Sequence, residues 1–257
     1  TGHLDDDVVI PDTTSLSYAP TLHAHITCDS LSILASGTIT GGGYRITVSD
    51  KSSASGSGTY SVFNAGTISG NLDLTLNTSS NNLVRFAGSS GNCFKEVRLN
   101  NSPVFEYVQN AYVEQLVIAA GTLQPYSSSY SFTAQDSASI TGTFNCLAAS
   151  PISLGSGIDD AYSVVVNASG TFLGGTGATH TLGAVNVNSS ANGFTFTTGT
   201  TTINGRATSG NSRRVFSTSS TSAITMTSGN LIINQARTPL SIRCDDTSGI
   251  KNLRMEC

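Results

Sequence analysis

Tryptophan is absent from this 257-residue chain, and charge is scarce at 11% of residues, against roughly 25% in an average soluble domain. Lysine occurs only as Lys51, Lys95 and Lys251, and glutamate only as Glu96, Glu106, Glu114 and Glu256. No segment carries a convincing amphipathic helical pattern. No apolar run reaches the roughly 18 residues of a membrane-spanning helix, so membrane insertion is not expected. There is no dense basic stripe and no RNA-type aromatic motif, which argues against nucleic acid as a partner. None of the five cysteines forms a Cys-x-x-Cys pair, which excludes a zinc ribbon or a thioredoxin motif. Phosphate-loop and dinucleotide patterns are missing, and no cofactor is expected. No Ser stands in a Gly-x-Ser-x-Gly elbow with a credible base.

Low charge and few helix formers would suit disorder, but the apolar residues argue otherwise. They come in short, β-branched, alternating runs that can build a core. Tyr44, Ile46 and Val48 alternate with Arg45, Thr47 and Ser49, and Leu72, Leu74 and Leu76 with Asp73 and Thr75. Val185 and Val187 alternate with Asn186 and Asn188, and Leu231 and Ile233 with Ile232 and Asn234. A period of two sends one set inward and the other to solvent. Between the runs lie Gly-, Ser- and Asn-rich corners at 52–58, 79–82 and 208–212, residue types that accept tight turns. Gln109 to Ala120 fits helical spacing but reads better as a strand entering a Gly-Thr corner.

Gly-Thr followed by a β-type residue recurs at Gly37, Gly66, Gly121, Gly142, Gly170 and Gly199, with Gly229-Asn230 as a seventh copy. The spacings are 29, 55, 21, 28, 29 and 30, and the 55 suggests a disguised copy near Gly91-Asn92. Gly58-Thr59 falls off this period. A period of about 29 with three short strands per copy predicts an all-β fold, a single-stranded parallel β-helix. Residues 1–257 are expected to form one solenoid domain.

The segment from Asp5 to Asp50 carries Asp6-Asp7-Val8-Val9-Ile10-Pro11, Ile26-Thr27, Ser30-Leu31-Ser32-Ile33, Gly37-Thr38-Ile39 and Gly43-Tyr44-Arg45-Ile46-Thr47-Val48. It resembles the solenoid stretches of bacterial surface proteins and phage tail-fibre or virion proteins. That resemblance implies a right-handed coil at a cell or virion surface, and it brings no catalytic residues with it. The chain begins at Thr1, which suits a processed or a trimmed protein.

Parallel β-helices also host polysaccharide-degrading enzymes, which need carboxylates close together on one face. Asp5-Asp6-Asp7, Asp159-Asp160 and Asp245-Asp246 are the candidates, but neighbours along a strand point to opposite faces. Lys95, Glu96 and Arg98 with Glu106 form the densest mid-chain charge cluster, read as a solvated face or a sugar-binding groove. His23 and His25 share one face of an expected strand whose core side is Leu22, Ala24 and Ile26. They lack a third metal ligand, so no metal is expected. Thr38-x-Thr40, Thr195-x-Thr197 and Thr225-x-Thr227 do not recur at one position in successive coils, against the flat array that ice binding needs. Tyr126, Tyr130 and Tyr162 could serve a surface glycan, although core or corner packing explains them as well.

The ends of the chain differ in charge. Residues 1–30 hold Asp5, Asp6, Asp7, Asp12 and Asp29 without Lys or Arg. From residue 200 on, seven basic residues, among them Arg213, Arg214 and Arg243, face only Asp245, Asp246 and Glu256. An acidic end (1–30) and a basic end (230–257) suit copies stacking head to tail. Cys28 on one side and Cys244 and Cys257 on the other are candidates for a stapling disulfide, with an internal Cys244–Cys257 bond equally open. The expected protein is a non-catalytic, self-assembling extracellular subunit on a cell or virion surface. A tail-fibre or tailspike-type adhesin, or a polysaccharide-degrading enzyme, is the alternative.

Overall fold

The computed structural model describes residues 2–3, 7–49, 60–86, 88–158, 161–189, 193–209, 212–218, 224–234, 240–243 and 253–256. Every helix-like or sheet-like element within them is a β-strand. All strand pairings are parallel except the hairpin of Ala207–Ser209 with Ser212–Thr218.

The chain alternates between a broad 17-stranded sheet and a narrow 10-stranded one. It passes from Tyr44–Val48 in the broad sheet to Tyr60–Asn64 in the narrow one, then back through Leu72–Leu76, Asn82–Arg85 and Phe94–Leu99. Strands adjacent in a sheet are thus one turn of chain apart, which is a parallel β-helix. The broad sheet is twelve layers deep from Gly2–His3 to Leu253–Glu256. Its long strand Phe132–Ile140 pairs with both Ile152–Leu154 and Val164–Val166, so the sheet runs on as two branches. The stretch from Gln109 to Ala120 is a strand, Ala111–Ile118, as its apolar pattern suggested.

In-register parallel pairing stacks like on like. Leu72, Leu74 and Leu76 are all 0% exposed, as are Ile46, Val48, Val97 and Leu99 above and below them. The early coils therefore have an aliphatic core. In later coils an aromatic column takes over: Phe132 meets Phe144 at 5.5 Å, Phe144 meets Phe172 at 6.0 Å and Phe172 meets Phe194 at 4.5 Å. Buried His180 sets its ring edge on Phe172 at 6.2 Å, and burial lowers its pKa below the usual imidazole value.

The expected coil of about 29 residues needs correction. Vertical partners are 18 residues apart at Phe105↔Leu123, 28 at Ile46↔Leu74 and 31 at Leu31↔Val62. Corners bulge outward from the stack, so they tolerate length changes without disturbing the ladder. The Gly-Thr recurrence is real but belongs to three different corners. Gly37 and Gly66 precede Thr38–Thr40 and Thr67–Ser69 in a two-stranded sheet of their own. Gly121, Gly142 and Gly170 precede strands of the narrow sheet, and Gly199 and Gly229 precede strands of the broad one. No copy sits at Gly91-Asn92. There the Asn92 side-chain oxygen accepts the Ile68 N–H at 2.7 Å and caps the first of these ladders.

Candidate functional site

Three successive strands of the broad sheet break the in–out alternation at the same level. Between inward Phe94 and Val97 two residues face out, Lys95 and Glu96; between Val113 and Leu116, Glu114 and Gln115 do so. Between Ala134 and Ala138 there are three, Gln135, Asp136 and Ser137. The register shift sits at Val113/Gln115 on the pairing with Phe132–Ile140. Bulges of this kind crowd polar groups onto one face and re-aim them.

The result is two ion-pair clusters on one face, one spanning three coils around Arg45 and Glu96 and the other spanning three coils around Lys95. The Arg45 guanidinium reaches Asp73 at 3.2 Å and Glu96 at 3.0 Å, and Arg98 Nε donates to the same Glu96 oxygen at 3.2 Å. Lys95 Nζ donates to Glu114 and lies 3.7 Å from Asp136, and the Glu114 bond raises its pKa. Tyr112 Oη donates to Gln135 Oε1 at 3.1 Å. The Glu96 side chain is only 17% exposed, so its charge is well compensated where it sits. Glu96→Gln should cost about 1 kcal/mol in low salt, because two guanidiniums lose a shared partner. Urea titrations of the two proteins should converge at about 1 M salt, where screening is short-ranged.

This face keeps Lys95, Glu96 and Arg98 together but corrects the place of Glu106. Glu106 lies on the narrow sheet, accepts from Gln124 Nε2 at 2.9 Å and continues through Asn145 at 3.1 Å. The members that sequence reasoning missed are Arg45, Asp73, Glu114 and Asp136. Their spacings of 28, 23, 19 and 22 residues follow the coil lengths, which only the register reveals.

His23 and His25 do not make a metal pair. The strand starts at Ile26, Ala24 is exposed, and His25 Nδ1 accepts the Arg45 N–H at 3.0 Å while its ring packs on Tyr44. Among the described residues no group of three metal-ligating side chains occurs. Thr195 does stack on Thr225, but Thr197 turns inward to bond Gly199 N, so these units make no flat Thr array. Tyr126 is 62% exposed, Tyr130 packs against the core, and Tyr162 is half-buried.

Of the residues expected at the ends, Asp7 is exposed and accepts the Ser30 hydroxyl at 2.5 Å. Asp5 and Asp6 lie outside the described residues. Arg213 and Arg214 are in Ser212–Thr218, with Arg214 half-buried, and Arg243 ends Leu240–Arg243. Cys28 is a free thiol at 0% exposure, and burial, with Asp29 and Asp7 nearby, pushes its pKa up to about 12. A core thiol cannot reach another chain while its coil is intact, so Cys28 is withdrawn as a staple. Cys244 and Cys257, like Asp159, Asp160, Asp245 and Asp246, lie outside the described residues.

No family model, curated protein or solved structure matches the chain. The N-terminal motif occupies Val8–Ile10, Ile26–Cys28, Leu31–Ile33, Thr38–Thr40 and Tyr44–Val48 in the first three coils.

Proposed function

We propose that the chain is a non-catalytic extracellular subunit that stacks head to tail with copies of itself on a cell or virion surface. The observation that carries this reading is the charge asymmetry along the parallel stack: its first coils hold Asp7, Asp12 and Asp29 with no Lys or Arg before Arg45, while Arg213, Arg214 and Arg243 lie in strands of its last coils. Layers of a parallel β-helix join through backbone donors and acceptors, and the same ladder could continue from one copy to the next. An acidic end against a basic end gives the contact a direction and speeds encounter. A heterologous joint of this kind does not close, and it generates fibres.

Electron microscopy of native, non-reduced protein should show thin fibres. Their axial repeat should be about 58 Å, from twelve layers at roughly 4.8 Å each. Reversing charge at Arg213, Arg214 and Arg243 should weaken assembly in low salt. Normal polymerisation by that variant would remove the electrostatic part of the reading.

A second reading has its own support. Asp73, Glu96, Glu114 and Asp136 come from four consecutive coils onto one outer face, beside Arg45, Lys95 and Arg98. An adhesin for a surface glycan, or a polysaccharide-degrading enzyme, would use such a face. Discrete rods or trimers in the micrographs would favour it over the fibre.

A further inference from the structure

Of the five large apolar side chains that the described residues expose, three lie on one flank. Val9 at 52%, Leu34 at 40% and Tyr126 at 62% belong to the outer face of the narrow sheet and the residues that continue its strands. Register lines them up. Val9, Ser32, Phe63 and Arg85 are partners in successive strands. Val108 and Tyr126 extend the row, their N–H groups donating to Val84 O at 3.1 Å and Tyr107 O at 2.9 Å. Each of the six has a buried neighbour beside it in the chain, so the row faces outward. Single exposed apolar residues are ordinary, but a continuous row of them marks an interaction surface.

The row carries specific chemistry. Tyr60 sets its ring on Phe63 at 5.4 Å, and the Arg85 guanidinium lies 4.7 Å over the other ring contact, Phe63. Arg45, Lys95 and Arg98 are ion-paired on the broad sheet, whereas among the described residues no carboxylate pairs with Arg85, and its Nε is buried without a hydrogen-bond partner. Beside the row, two residues earlier in each strand, runs the amide ladder: Asn145 Nδ2 donates to Gln124 Oε1 at 3.1 Å, and Gln124 Nε2 to Glu106 Oε1 at 2.9 Å. Each amide uses one hydrogen on its neighbour and keeps a second for a ligand.

We infer that this strip binds an extended acidic polysaccharide, one carrying uronic-acid carboxylates, along the solenoid axis. The inference rests on the alternative reading of the chain as a glycan binder and moves the glycan from the broad sheet to the narrow one. Sugar rings offer C–H faces that pack on Phe63, Val108 and Tyr126, and hydroxyl edges that bond planar amides. The unpaired guanidinium of Arg85 takes the carboxylate. Shape selects a chain over a second copy. The row spans about 24 Å, five layer spacings of roughly 4.8 Å, with the ladder about 7 Å to its side. That is on the order of 300 Å², and a stable protein–protein interface needs about 800 Å² per partner.

Fluorescence anisotropy with labelled oligomers of polygalacturonate, alginate and hyaluronan, and of dextran as the neutral control, tests this on the full chain. At least one acidic probe should bind, with dextran at least about tenfold weaker. Arg85→Gln and Tyr126→Ser should each weaken that binding by about tenfold, as loss of an anchoring contact does. Tyr18→Ser, at an exposed ring outside the strip, should leave it unchanged, and circular dichroism checks that each variant is folded. Equal binding of dextran would overturn the acidic ligand. Weakening by Glu96→Gln but not by Arg85→Gln or Tyr126→Ser would put the glycan on the broad sheet, overturning this inference and leaving the glycan reading standing. A dimer in sedimentation velocity that Tyr126→Ser dissolves would give the strip to a second copy and overturn the choice of occupant. No binding to any probe would overturn both the inference and the glycan reading.

Discussion

Phe172→Ala is expected to lose about 3–5 kcal/mol, the range for truncating a fully buried aromatic ring. Phe172 is 1% exposed and sits mid-column, stacked on Phe194 at 4.5 Å and 16° and on Phe144 at 6.0 Å and 26°. Its removal opens a void against the edge of His180, whose Nε2 lies 2.6 Å from Gly174 O and holds that ring in place. Coils in a solenoid touch only their neighbours, so this loss also weakens the coupling between the two ends of the stack. The urea transition should broaden or split. Hydrogen exchange should accelerate around Thr143–Asn145, Thr171–Leu173 and Phe194–Thr195. Exchange in Tyr44–Val48 and Leu72–Leu76, whose core is aliphatic, should stay as in wild type. A single sharp transition with a loss below about 1 kcal/mol would show that the aromatic column does not couple the coils.

The fold class was legible because its signal is local. Alternating runs such as Leu72 to Leu76 and Val185 to Val187 report which side faces the core wherever the chain is straight, and all of these apolar residues are buried. The same rule failed where the backbone bulges. Lys95-Glu96 and Glu114-Gln115 both face outward, and strict alternation would put one of each pair inside. It failed again at Ala24, an apolar residue in a segment that has not yet become a strand. The charged face was only partly legible for a different reason. Arg45, Asp73 and Glu96 become neighbours through register, and register depends on corner lengths that sequence leaves open. Glu106 shows the converse, being near Lys95 in sequence yet on the other sheet. In Val8–Ile10 the exposed Val9 beside buried Ile10 obeys the same alternation, but three apolar neighbours in a row leave the sequence without a polar residue to mark which side faces out.

The recurring Gly-Thr dipeptide has a physical cause that can be tested directly. At Gly142 a Cβ would lie 2.4 Å from Gly121 O and 2.8 Å from Ile118 Cγ2, well inside contact distance. That carbonyl is the one accepting the Thr143 N–H at 2.8 Å, so the ladder draws the two backbones together where a side chain would have to go. Thr follows because its branched side chain suits the strand that begins there. Gly142→Ala should therefore cost about 2–3 kcal/mol through overpacking of a rigid contact. Gly91→Ala supplies the comparison. Its φ is +78° but nothing lies within 4 Å of the added carbon, so only conformational strain of about 1–2 kcal/mol applies. Thermal melts of the two variants should separate in that order, and Gly142→Ala should also speed exchange of the Thr143 amide. Equal losses would mean that the recurrent glycines answer to turn conformation alone, and that close stacking of the corners does not constrain them.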